Sequence, residues 1–234
     1  MTQAALWWTE RGSGQPVVLV PGGPGMASDY LDPLVGMLEA KAQVIQFDPR
    51  GCGRSESRPP YDLATMLSDL DLVRGQVGVE RWVLVGHSAG ALQALAYGIE
   101  YPTRVSGVVC IAGGPGLHDD RQWHAAYEAG RDAGLDTAPD TRFPFNLDLS
   151  RTLNESWRRY IKHPRLPRRM ADFPVPLLVV HGEEDIWPSW PMEQIAELVS
   201  DGKFAVVQGA GHIPWTSHGD EVSALLSQFL RRVN

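Results

Sequence analysis

Val83-Leu84-Val85-Gly86-His87-Ser88-Ala89-Gly90 runs directly into the helix-forming stretch Ala91 to Tyr97. An apolar strand, a Gly-x-Ser-x-Gly turn and a helix, in that order, are the sequence form of a nucleophile elbow with a serine at its apex. Glycine is required at 86 and 90 because a side chain at either would collide with the tightened backbone around Ser88. The turn exposes the serine oxygen and aims the first helix amides at the same point. Gly-x-Ser-x-Gly by itself is a common chance pattern. The order of strand, turn and helix gives it weight.

A serine hydroxyl is a poor nucleophile until a base takes its proton, and the base needs an acid to orient it. After an elbow of this kind the chain order is serine, then Asp or Glu, then His, the last two on loops past later strands. Leu177-Leu178-Val179-Val180 reads as a buried strand, and its exit, His181-Gly182-Glu183-Glu184-Asp185, offers the acid. Phe204 to Val207 reads as the last strand, and Gly209-Ala210-Gly211-His212 follows it. Asp185 and His212 thus fall just past strand ends, where a parallel sheet carries its sites. Glu183 and Glu184 compete locally with Asp185.

Developing negative charge on an attacked carbonyl needs two amide donors. One is the N–H of Ala89, after the serine. The other is assigned to Gly23 in the loop Pro21-Gly22-Gly23-Pro24-Gly25, since Pro24 has no N–H. Each such donor contributes about 3 to 4 kcal/mol to the transition state.

Apolar runs alternate with helix-period segments, which predicts an α/β fold with a mostly parallel sheet and helices on both faces. Strands are expected at 6–9, 17–20, 44–47, 82–85, 105–111, 177–180 and 204–207. Gly12-Ser13-Gly14 is expected to turn the first strand into the second. Helices are expected at 31–38, 63–77, 191–199 and 220–232. Residues 117–170 break the alternation and read as a helical lid inserted into a core of 1–116 and 171–234. Residues 117–150 hold seven acids and three arginines, whereas 151–170 hold seven basic residues and Glu155 alone. The lid aromatics Trp123, Tyr127 and Trp157 are expected to pack and to wall the pocket. Glu128 and Glu155 are its candidate carboxylates, and His118 and His163 its candidate histidines. His87, inside the elbow, is expected to point away from Ser88, and His181 and His218 are read as structural or surface residues. Asp48 is expected to cap amides in a turn shaped by Arg50, Gly51 and Gly53.

With these segments in place, the chain resembles α/β-hydrolase-fold serine hydrolases, and within them the proline iminopeptidase branch. The resemblance rests on Gly22-Gly23-Pro24-Gly25 with Asp29-Tyr30-Leu31, on Asp48-Pro49-Arg50-Gly51-Cys52-Gly53-Arg54-Ser55, on Gly86 to Gly90, on His181-Gly182 with Asp185, and on Gly211-His212. It implies a Ser88–His212–Asp185 triad, an oxyanion hole at Gly23 and Ala89, no cofactor, and release of N-terminal proline from small peptides. Two departures stand out. Pro21 replaces the histidine that usually opens the glycine loop, and the cap is short.

Net charge is −7, with 43% hydrophobic residues, which argues against nucleic acid as a partner. No apolar run reaches the roughly 18 residues of a membrane span. Cys52 and Cys110 lack metal-ligand spacing and read as reduced thiols, so a cytoplasmic location is expected and no metal site. No dinucleotide fingerprint is present either. The expected partner is a small molecule or short peptide. Hydrolysis of a small ester is the first reading, prolyl aminopeptidase activity the second, and a non-catalytic binding protein on the same fold the third.

Overall fold

The computed structural model describes residues 4–117, 120–135 and 138–233. In chain order these form β1 (Trp8–Arg11), β2 (Pro16–Val20), α1 (Asp32–Leu38), β3 (Gln43–Phe47), α2 (Leu63–Val77), β4 (Trp82–His87), α3 (Ala89–Glu100) and β5 (Val105–Ile111). Then come α4 (Arg121–Asp132), α5 (Leu147–Tyr160), α6 (Leu166–Ala171), β6 (Leu177–Gly182), α7 (Trp190–Leu198), β7 (Gly202–Val207), α8 (Pro214–Ser217) and α9 (Gly219–Val233). The sheet order is β1-β3-β2-β4-β5-β6-β7. Every neighbouring pair is parallel except β1 with β3.

The central strands β4 and β6 are buried throughout, so their near-continuous apolar runs suit a sheet covered on both faces. One face packs Leu70 of α2, Leu95 of α3 and Met192 of α7; the other packs Leu34 and Leu38 of α1 with Val222 and Leu226 of α9. The first strand departs from expectation, beginning at Trp8 rather than Leu6. Trp7 is held instead by the turn after β3: its N–H donates to Ser55 Oγ and its carbonyl accepts from Asp48. The Gly12–Gly14 turn leads into β2, but β3 comes between β1 and β2.

Helices α4, α5 and α6 lie between β5 and β6. His118 lies outside the described residues. The segment ahead of α5 is fastened to the core at several points. Asp29 accepts from Thr141 Oγ1 (2.9 Å) and from the Arg142 N–H (2.7 Å). Asn146 donates its N–H to the Gly25 carbonyl (2.9 Å) and its side-chain amide to the Gly51 carbonyl (2.8 Å). The other end of that amide, Oδ1, caps α5 at the Leu149 N–H. Among the described residues no helix is long and apolar enough to cross a membrane.

Asp48 organises the turn after β3, as its position suggested. Its fully buried carboxylate accepts from the Ser28 N–H and hydroxyl, and from the backbone and guanidinium of Arg54. Burial alone would raise its pKa, but the bonds from Arg54 and Ser28 outweigh burial and hold it below the ordinary carboxylate value. A depressed carboxylate stabilises the fold above its unfolded-state pKa of about 3.9 and loses that contribution as pH falls through the folded value. Asp48→Ala is therefore expected to cost about 1 to 3 kcal/mol in urea unfolding at pH 7, because it leaves the buried Ser28 N–H and hydroxyl without their acceptor and removes the partner of the partly exposed Arg54 guanidinium. The gap to the parent should narrow below about pH 4. A gap that stays constant into acid would show that the charge is not what holds the turn.

Candidate active site

The elbow is built as a strained backbone. Ser88 stands between β4 and α3 at φ 54° and ψ −121°, a conformation that costs a non-glycine residue about 1 to 3 kcal/mol. Its N–H donates to the Ile111 carbonyl of β5 at 2.9 Å. A Cβ at Gly90 would run into the Val20 carbonyl, and one at Gly86 into the Gly90 carbonyl. The two glycines let α3 pack close enough to the ends of β2 and β4 for the turn to close.

Asp185 and His212 meet above the strand ends. His212 Nδ1 lies 2.9 Å from Asp185 Oδ2, and the Asp185 side chain is fully buried. Asp185 Oδ1 accepts the Trp187 N–H at 2.9 Å, so both carboxylate oxygens are engaged. The carbonyl of Trp187 is in turn held by His181 Nε2 (2.8 Å). The Glu183 carboxylate takes the Gly209 N–H at 3.0 Å and so anchors the loop carrying His212. Of the three neighbouring acids, only Asp185 reaches the imidazole. Ser88 is buried at 5% exposure.

The donor positions are also present. Ala89 opens α3, so its N–H has no acceptor within the helix. Gly23 is exposed at φ 111° in the glycine loop. The loop is anchored without the usual histidine: the Gly22 N–H donates to the Tyr30 hydroxyl at 2.7 Å. Tyr30 Oη is 3.0 Å from His87 Nδ1, and His87 Nε2 is 2.9 Å from the His212 carbonyl. His87 is buried and bridges Tyr30 to the His212 backbone. Sequence reasoning missed this role because its partners lie 57 and 125 residues away along the chain.

Trp187 was also missed, although it lies two residues past the acid. Its ring stacks on His212 (5.1 Å between centroids, 21° between planes). Trp123 packs edge-on against Trp187 at 5.2 Å and Tyr127 lies at 4.9 Å, so two of the aromatics named from sequence reach the imidazole through Trp187. Trp157 is buried and, with Pro24, Ala89, Leu92, Gln93 and Leu153, lines a small space of about 20 Å³. Glu128 and Glu155 are exposed on α4 and α5 and border neither this space nor the cavity at His212. That second cavity, about 630 Å³, is lined by Leu135, Glu184, Ile186, His212 and Ile213. His163 lines a separate cavity against α2. No cluster of potential metal ligands occurs among the described residues.

With this geometry established, the comparisons with known proteins assign the class. The α/β-hydrolase-fold family model matches residues 15–175, and the chain belongs to that family. A stretch of 107 residues is 36% identical to a proline iminopeptidase of Saccharolobus solfataricus, covering 44% of this chain and 34% of that protein. The match therefore spans about a third of the relative's length. A thermophilic esterase from Thermogutta terrifontis superposes with a TM-score of 0.77 at 22% identity, over 97% of this chain and 93% of that one. A proline iminopeptidase from Mycobacterium smegmatis gives 0.75 at 19% identity, over 98% and 95%. At such identities the two structures speak for the fold alone.

The packing of the elbow makes a stability prediction. Gly90→Ala places a methyl group against the Val20 and Pro21 carbonyls, and overpacking of this kind costs about 1 to 3 kcal/mol or more. A clearly lowered melting temperature is expected. Parent-like melting would mean that α3 does not pack as tightly on β2 as described.

Proposed function

We propose that the protein is a serine hydrolase of the α/β-hydrolase family that cleaves small esters through an acyl-enzyme. Ser88 attacks the carbonyl carbon while His212 takes the serine proton. The tetrahedral oxyanion is held by the amides of Gly23 and Ala89. As the intermediate collapses, His212 gives the proton to the departing alkoxide, and water then repeats the sequence to release the acid. Asp185 orients His212 and stabilises its charged form. The observation that carries the reading is the 2.9 Å contact from a buried Asp185 to His212, in a parallel sheet whose central strand ends in an elbow serine with positive φ.

The match to a proline iminopeptidase favours a second reading, prolyl aminopeptidase activity. Such a substrate brings a charged amine on its acyl half, and that amine needs a carboxylate. Glu128 and Glu155 are exposed and border neither cavity beside the site. Glu184 borders the cavity at His212, which is where the proton is handed to the leaving half. The ester reading is therefore preferred. In both readings residues 117–170 act as a lid that walls the site, with Trp123, Tyr127 and Trp157 as its packing residues. Cys52, whose thiol burial pushes up to about 12, and the buried Cys110 are free thiols, which fits action in a reducing compartment such as the cytoplasm.

Three residues acting in one step lose activity together. Ser88→Ala and His212→Ala should each remove nearly all turnover, with the double variant little worse than either. Additive losses would show that the two do not share a step. Asp185→Asn should keep the fold and lower kcat by about four orders of magnitude, the scale of a wrong-tautomer histidine, whereas Glu183→Gln and Glu184→Gln should be mild. A severe Glu184→Gln beside a mild Asp185→Asn would reassign the acid.

Substrate choice is read from kcat/KM for p-nitrophenyl acetate and butyrate against proline p-nitroanilide and a Pro-Xaa dipeptide. The esters are expected to win, because an alkoxide or phenoxide leaves more readily than an amine. Faster proline release, with KM raised selectively by Glu128→Gln or Glu155→Gln, would replace the ester reading with the aminopeptidase one.

A further inference from the structure

We propose that Tyr30 and His87 are positioning residues that tie the loop of the oxyanion donor to the loop of the general base, so that both keep one geometry relative to Ser88. The inference rests on the serine-hydrolase reading above and assigns two residues which that reading does not use.

The direction of every hydrogen bond in the link is fixed. The His212 carbonyl can only accept, so His87 Nε2 must carry a proton to make its 2.9 Å contact. A neutral imidazole then has its Nδ1 lone pair free, and the Tyr30 hydroxyl at 3.0 Å donates to it. The Tyr30 oxygen accepts from the Gly22 N–H at 2.7 Å. The chain therefore reads Gly22 N–H to Tyr30 O–H to His87 Nδ1, and His87 Nε2–H to the His212 carbonyl. Burial, reinforced by the neighbouring His212 imidazole, holds His87 well below its ordinary pKa, which keeps it in the neutral form that the pattern requires.

The two ends of this chain lie next to the reacting groups. Gly22 precedes the Gly23 donor, and its Cα sits so close to the elbow that a Cβ there would be 2.8 Å from Ser88 Cβ. His87 precedes Ser88, and its partner carbonyl belongs to the base itself. Trp215 closes the arrangement, with its ring edge-on to His87 at 4.7 Å and stacked on Tyr30 at 6.3 Å. Both rings are thus fixed by packing as well as by hydrogen bonds. Loops at strand ends are otherwise the most variable and mobile parts of such a fold. A link that joins the two loops removes independent motion of donor and base, and displacements of about 1 Å between such groups can cost about 100-fold in rate.

The test uses the full chain with p-nitrophenyl acetate, with active sites counted from the nitrophenolate burst so that misfolded protein is discounted. Tyr30→Phe deletes only the hydroxyl. His87→Phe keeps a packed ring but has no donor for the His212 carbonyl. Each is expected to lower kcat per active site by about 10- to 100-fold with KM little changed, and the double variant should be no worse than the more severe single one. His87→Gln places an amide Nε2 near the imidazole Nε2 and should recover part of the His87→Phe loss. A melting temperature that falls while kcat per active site stays at the parental value in both single variants would reduce the pair to a structural role and overturn the proposal. Full activity in Ser88→Ala would instead defeat the underlying nucleophile reading.

Discussion

The backbone of Ser88 is the constraint on which the rest of the site depends. A residue at φ 54° is unfavourable by about 1 to 3 kcal/mol, and it persists only because its surroundings leave no alternative. Gly86 and Gly90 remove the side chains that would keep α3 away from β2 and β4, and the Ser88 N–H is secured on β5. The sheet supplies the rigidity. With β4 central and buried on both faces, the strain is held by the core rather than by a loop.

From that fixed point the other groups are placed by strand order. β2 lies on one side of β4 and delivers the glycine loop, while β5 then β6 lie on the other. β6 ends in the Asp185 loop and β7 in the His212 loop, and the Glu183–Gly209 contact fastens the two together. Parallel topology brings all of these loops to the same edge of the sheet. The segment ahead of α5 is tied to the same edge: Thr141, Arg142 and Asn146 bond to Asp29, Gly25 and Gly51, so it is attached to the loop that bears the Gly23 amide. Burial by itself would raise the Asp29 pKa, yet the bonds from Arg142 and Thr141 hold it below the ordinary value. The fastening therefore keeps its charge through the neutral range.

Much of this was legible in the sequence because it is local. The elbow, the apolar strand runs, and the placement of Asp185 and His212 just past strand ends are read from a few adjacent residues each. Helix α2 was legible to the residue because its apolar positions repeat at helical spacing and Asp62 caps it. What the sequence hid is what depends on contacts between distant segments. The start of β1 moved to Trp8 because Trp7 is recruited by Asp48 and Ser55. The link from Gly22 through Tyr30 and His87 to His212 joins three separate segments, and no periodicity announces it. Trp187 is adjacent to the acid, but its stacking on His212 follows from the fold of the loop and not from its place in the chain. The small space beside Ala89 depends likewise on where α5 sets Trp157 and Leu153 against α3.

The central claim is that Ser88 is a nucleophile activated by His212. It is tested most directly by reacting the protein with a fluorophosphonate and locating the adduct by peptide mass spectrometry. A single adduct on Ser88 is predicted, absent in Ser88→Ala and formed far more slowly in His212→Ala. No adduct, or an adduct on another residue that survives Ser88→Ala, would contradict the account and leave a binding protein on a hydrolase fold.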